Sequence, residues 1–199
     1  MGRQTDGKIV VVGSASGDIA LARYNPNGSL DTSFDGDGLV IADFGGSSGY
    51  AWGVAVQPDG KIVAAGWVNA PGGTTDFGLA RLNTDGSPDT SFAGVGWVVT
   101  DLNGNDDFAQ SVALQPDGRL LVAGYSDISE EPSYNPESIF ALARFNADGS
   151  LDASFGTNGW LTTDLAGFDD ECFAMSLLPD GRIVLAGESE ARFALVMYK

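Results

Sequence analysis

An Asp-Gly turn set between apolar residues recurs four times along this chain, and that recurrence narrows the possible folds more than any other feature. The turns are Asp6-Gly7-Lys8-Ile9-Val10, Asp59-Gly60-Lys61-Ile62-Val63, Asp117-Gly118-Arg119-Leu120-Leu121 and Asp180-Gly181-Arg182-Ile183-Val184. They return at intervals of about 50–60 residues, a period typical of solenoids, propellers and other arrays. After each turn comes an alternating segment: Ile19 to Tyr24, Phe77 to Leu82, Phe140 to Phe145 and Phe193 to Tyr198. A Gly-Ser-(Leu/Pro)-Asp-x-Ser-Phe stretch follows three times, starting at Gly28, Gly86 and Gly149. An apolar run ending in Asp closes three units, at Asp43, Asp101 and Asp164.

Each unit reads as four short strands, A to D, for example Val54–Gln57, Lys61–Gly66, Phe77–Leu82 and Trp97–Thr100. Asp-Gly supplies the positive φ angles of a tight turn, so strands A and B form an antiparallel hairpin. Pro58, Pro116 and Pro179 stop strand A just before it. Strand C alternates bulky with small residues, and neither of its faces is consistently polar, so both are expected to be covered. Small sheets covered on both faces and repeated at this period predict an all-β fold: a β-propeller, or a segment of one, with four-stranded antiparallel blades. The chain reads as one repeat domain over 1–199, with units near 1–49, 50–107, 108–170 and 171–199. The first unit keeps only Arg3-Gln4 of strand A and the last ends after strand C, which gives fourteen strands. The missing strands leave edges open to pairing. Either the chain is part of a longer propeller, or two chains share a ring, or it closes alone with two incomplete blades; the first two are favoured.

The repeats agree at the A–B and C–D connections and differ at the B–C and D–A connections, which leave the opposite face of a propeller. Variable loops on one rigid face are the expected recognition surface. The B–C segments are Ser14–Asp18, Trp67–Asp76, Tyr125–Ser138 and Glu188–Arg192, and the D–A segments are Gly45–Gly49, Asn103–Asp107 and Ala166–Glu171. They carry many of the acids of a chain with 27 acidic and 10 basic residues, net −17. Trp67, Asp76, Asp106, Asp107, Tyr125, Asp127, Glu130, Glu131, Tyr134, Asp169, Asp170 and Glu171 are therefore the candidate partner-binding residues. An acidic face suits cations or a basic partner. The same balance argues against nucleic acid, whose phosphates call for Lys and Arg, and no apolar run approaches the length of a membrane span.

Arg23, Arg81 and Arg144 share a strand face with Leu and Phe, so their guanidinium groups need carboxylates. Two acidic series run alongside: Asp31, Asp89, Asp152 and Asp43, Asp101, Asp164. The fourth unit lacks both, and there Met197 replaces the arginine, as structural ion pairs predict. Asp35 and Asp37, with Asp31, form a possible calcium loop through alternate oxygen ligands, although the other copies lack the two loop acids. The Asp106-Asp107 and Asp169-Asp170-Glu171 clusters also suit a divalent cation, and beyond calcium no cofactor is expected. The chain contains no histidine, which excludes Ser-His-Asp and Cys-His devices and leaves Gly45-Gly46-Ser47-Ser48-Gly49 a chance match to a nucleophile elbow. Cys172 aligns with Ala51 and Ala109 as a packing residue.

The motif Gln-Pro-Asp-Gly-Lys-Ile-Val-Ala-Ala-Gly, followed by Phe-x-Leu-Ala-Arg and Asp-Gly-Ser-x-Asp-x-Ser-Phe, resembles the bacterial delta-60 repeat family. The resemblance implies a β-propeller, an exported or cell-surface setting in a bacterium and no catalytic residues. The expected function is a non-catalytic binding or scaffolding module with a protein or glycan ligand. The alternatives are carbohydrate binding through Trp67, Tyr125 and Tyr134, a purely structural spacer, and a carboxylate-based glycoside hydrolase, which needs two suitably spaced acids.

Overall fold

A computed structural model describes residues 1–45, 47–129, 137–165 and 169–199. Among them are fifteen strands, and no helix is long and apolar enough to cross a membrane. Blade 1 holds β1 (Gly2–Arg3), β2 (Ile9–Ala15), β3 (Asp18–Tyr24) and β4 (Leu39–Ala42). Blade 2 holds β5 (Gly49–Val56), β6 (Ile62–Asn69), β7 (Thr75–Leu82) and β8 (Trp97–Thr100). Blade 3 holds β9 (Asp107–Leu114), β10 (Leu120–Asp127), β11 (Ser138–Phe145) and β12 (Trp160–Thr163), and blade 4 holds β13 (Asp170–Leu177), β14 (Ile183–Ser189) and β15 (Arg192–Tyr198). Every blade is an antiparallel meander in chain order. Three blades have four strands and the last has three. The fold is thus the expected all-β propeller architecture, with one difference. Gly2 and Arg3 pair with Val10 and Ile9, so the first blade has a short strand A and the count is fifteen rather than fourteen.

Three apolar clusters form the core, one at each junction between successive blades. Ile19, Leu21 and Phe34 of blade 1 meet Ile62, Ala64 and Ala80 of blade 2. Phe77, Leu79 and Phe92 of blade 2 meet Ala141, Ala143 and Phe145 of blade 3. Phe140 and Leu142 of blade 3 meet Cys172, Ile183 and Leu185 of blade 4. In the first part of strand C the bulky side chains, such as Phe77 and Leu79, point forward to the next blade and the small ones, such as Ala80, receive the blade before, while Leu82 and Phe145 near the strand end also pack backward. This is why strand C alternates large and small instead of apolar and polar.

The strands run further toward the variable face than the apolar pattern indicates. Trp67 lies in β6, Asp76 in β7, Asp107 in β9, Tyr125 and Asp127 in β10, and Asp170 and Glu171 in β13. The sequence pattern alone places all of them in loops. Hairpin pairing continues past the apolar run because ladder hydrogen bonds do not depend on side-chain polarity: Val68 pairs with Asp76 and Ser126 with Asp107.

Candidate functional site

Two arrangements use the residues singled out by sequence. The first is a clamp repeated three times. Arg23 Nε donates to Asp31 Oδ2 at 2.6 Å, Arg81 Nε to Asp89 at 2.6 Å and Arg144 Nε to Asp152 at 2.8 Å. The other oxygen of each Asp accepts from the hydroxyl of Ser33, Ser91 or Ser154. The guanidinium lies over the ring of Phe34, Phe92 or Phe155, 4.4–4.6 Å from its centroid, a favourable cation–π placement. Lys8, Lys61 and Arg119 add a second cation to each Asp. Burial opposes ionisation of Asp31 and Asp89, but their lysine, serine and arginine donors outweigh it and hold both well below the usual carboxylate range. Asp152 is lowered to about 2, chiefly by the Ser154 hydroxyl.

Two clamps also reach the next blade. Arg23 Nη1 donates to the Thr84 carbonyl at 2.6 Å, and Arg81 Nη1 to the Ala147 carbonyl at 2.5 Å. The second acidic series lies elsewhere. Ala42, Thr100 and Thr163 pair with Ile19, Phe77 and Phe140, which sets Asp43, Asp101 and Asp164 beyond the opposite end of strand C from the arginines. Their expected role as arginine partners is corrected on that register. The acids of the expected calcium loop, Asp31, Asp35 and Asp37, have other contacts or a repeat-wide conformation. Asp31 has both oxygens engaged by Arg23, Lys8 and Ser33, and Asp37 caps the Leu39 N–H. Asp35 has the same positive φ as its counterpart Ala93, 51° in both, so that conformation belongs to the repeat and requires no ion.

The second arrangement lies at the variable face, on strands A and B. Three consecutive blades present one cross-strand pair each at the same register: Tyr50 with Trp67, Phe108 with Tyr125, and Glu171 with Glu188. The aromatic members form a continuous row. Ring centroids are 4.6 Å apart for Tyr50 and Trp52, 6.4 Å for Tyr50 and Trp67, 6.4 Å for Trp67 and Phe108, and 4.9 Å for Phe108 and Tyr125. Trp52 is half exposed and the other four are partly exposed. Glu171 and Glu188 end the row. Like charges directly opposite each other destabilise a sheet. Burial first, then the charges of Glu188 and Asp169, raises Glu171 above its ordinary value. Tyr125 is pushed up to about 12, mainly by burial and then by the Glu171 charge. Tyr50, Trp52, Phe108 and Glu188 were not among the candidates from sequence. The available signal was register: Tyr50, Phe108 and Glu171 hold one repeat position.

Beside the row, Asp76, Asp101 and Asp107 bring carboxylate oxygens within 4.8 Å of one another. Asp107 is fully buried, accepting from the Ser126 hydroxyl and the Leu102 N–H. Burial drives it up to about 7, and the Asp101 and Asp76 charges add to the rise. Asp106 caps the Thr75 N–H and Asp127 the Ser129 N–H. Asp170 accepts from Leu165 N–H, and the Asp169 carbonyl accepts from Glu190 N–H. Glu130, Glu131 and Tyr134 lie outside the described residues. On the opposite face, the A–B turns enclose a depression of about 660 Å³ lined by repeat residues such as Pro58, Pro116 and Pro179. Cys172 is buried, and burial pushes its thiol up to about 12, which makes it a poor nucleophile at neutral pH.

A family described as "Domain of unknown function (DUF5122) beta-propeller" matches residues 4–34, 57–92 and 115–155, together more than half of the chain. The chain belongs to this DUF5122 β-propeller family. Each stretch that the DUF5122 family matches runs from an A–B turn to the Ser-Phe of a clamp, so the clamp lies within the matched part of the chain. No curated protein matches the chain. Among solved structures it is similar to an exo-1,5-α-L-arabinanase from a bovine ruminal metagenomic library, with 14% identity and a TM-score of 0.50, over 98% of this chain and 71% of the other. At that identity the likeness of this DUF5122 propeller to the arabinanase is one of fold.

Proposed function

We propose that the protein is a non-catalytic binding module that takes a glycan chain along the aromatic row of blades 2 and 3. The observation that supports this reading is the unbroken row from Trp52 to Tyr125. Aromatic rings left partly exposed in a line, on paired strands rather than on loops, give successive flat apolar faces to the C–H faces of sugar rings. Glu171 and Glu188 at the end of the row accept hydrogen bonds from hydroxyls. Strands hold such a surface rigid, so little ordering entropy is lost on binding. The resemblance to delta-60 repeats adds a bacterial surface setting, where glycans abound. The arabinanase likeness carries no residue to this chain and lends the reading nothing beyond the fold.

A glycan array tests it. The wild type is expected to bind at least one class of oligosaccharide, and Trp67→Ala to lose about tenfold or more in affinity, as truncation of a central aromatic anchor does. An array without binders counts against the reading, as does a Trp67→Ala variant that binds like wild type. A second reading draws on the Glu171–Glu188 pair and the net charge of −17: a basic protein segment, its cations over the aromatic faces. Binding of a polylysine peptide that weakens steeply with salt would favour it.

A further inference from the structure

We propose that Asp76, Asp101 and Asp107 form a calcium site that ties blade 2 to blade 3 beneath the aromatic row. The three carboxylates come from separate segments: Asp76 from β7, Asp101 from just past β8, and Asp107 from the start of β9. Their oxygens lie within 4.8 Å of one another, close enough for one ion to touch all three at the 2.3–2.6 Å typical of calcium–oxygen bonds. An acidic cluster alone would carry little weight, because exposed acids often gather without a ligand. Asp76 supplies a separate observation. It is only 4% exposed, and although the Thr74 side chain bonds to its carboxylate, Oδ1 is fully buried with no hydrogen-bond donor. A carboxylate oxygen removed from water normally has a donor or a metal.

Among the described residues, none of the three acids forms an ion pair with a lysine or arginine, whereas Asp31, Asp89 and Asp152 all do. Asp107 is already oriented by the Ser126 hydroxyl and the Leu102 N–H, and Asp101 by the Gly104 N–H. Neighbours that orient ligands in this way are what a metal site requires. The all-oxygen donor set selects a hard cation. The repeat offers an internal comparison. The corresponding residues are Asp18, Asp43 and Gly49 at the junction of blades 1 and 2, and Ile139, Asp164 and Asp170 between blades 3 and 4. Each of those junctions has two of the acids, and only the junction that carries the aromatic row has all three. The framework therefore does not demand this trio.

The test uses the full chain freed of metal by chelation. Calcium titrated alone is expected to raise the thermal midpoint by several degrees and to saturate. Asp76→Asn is expected to remove that shift. Terbium provides a readout that needs no variant. With Trp67 one residue from Val68, the pairing partner of Asp76, tryptophan-sensitised terbium emission should appear at one equivalent and be displaced by calcium. No saturable shift and no sensitised emission would overturn the proposal. So would an Asp76→Asn variant that folds and keeps the full calcium shift.

Discussion

Arg81 gathers one carboxylate, one hydroxyl, one aromatic face and one carbonyl of the following blade around a single buried guanidinium. Replacing it by Met keeps the bulk and removes the charge. Asp89 then retains Lys61 at 2.8 Å, so the loss belongs at the lower end of what breaking a buried pair costs, about 3 kcal/mol. Denaturant unfolding of Arg81→Met measures it, and an unchanged midpoint would exclude a stabilising clamp. The pH dependence follows from the same carboxylates. Their folded values are lowered, so the native state binds protons less readily than the unfolded chain. The stability they contribute is present above about pH 4 and is lost as pH falls below it, through about 2 for Asp152 and lower still for Asp31 and Asp89. Thermal midpoints are expected to drop across that interval, with a shallower drop in Asp152→Asn. The pairing of arginine with an acid was legible in the sequence because Met197 stands where the acids run out. Which acid pairs was not. The Asp31, Asp89 and Asp152 series reaches its arginine only because the chain folds back, the Asp31 N–H donating to the Arg23 carbonyl, and a sequence separation does not encode that return.

Strands A and B depend on a feature of equal regularity. Each strand A from β5 onward shifts register midway, between Ala51 and Gly53, around Ser111 and Ala109, and between Cys172 and Ala174. Opposite the shift stand Gly66, Gly124 and Gly187, where a Cβ would overlap the carbonyl oxygen of Tyr50, Phe108 or Glu171. The glycine therefore lets the backbone carrying each row residue close onto strand B. Gly124→Ala is expected to cost about 2–3 kcal/mol through overpacking and to displace Phe108. A Gly124→Ala variant with wild-type stability and unaltered aromatic near-ultraviolet dichroism would contradict that. The hairpins and the blade architecture were legible in the apolar pattern. The row was not, because its residues sit past the apolar runs, where only ladder pairing keeps them in strands. Trp67 and Tyr125 were found by composition. Their partners Tyr50 and Phe108 needed the register.

Among the described residues, the first and last of the four blades each leave one apolar face exposed. Phe193, Leu195 and Met197 on blade 4 are 79%, 55% and 53% exposed, while Phe77 and Leu79 at the matching positions are fully buried. Blade 1 exposes Ile9, Leu39 and Ile41 on its other side, where Ile62 of blade 2 is fully buried. The forward face of blade 4 and the receiving face of blade 1 are the two halves of every junction between the blades. A second copy, head to tail, or further blades of the same kind would supply both complements. Such stacking buries apolar side chains worth roughly 1.5–3 kcal/mol each. The candidate site and the calcium trio both span a junction between stacked blades, so the whole account rests on these faces being built to stack. Light scattering of the purified chain and of Leu195→Glu tests this directly. The account predicts a mass near twice the 20.6 kDa of one chain for the wild type and near one chain for the variant. A wild type that stays at one chain across the micromolar range, or a Leu195→Glu variant that still pairs, would contradict it.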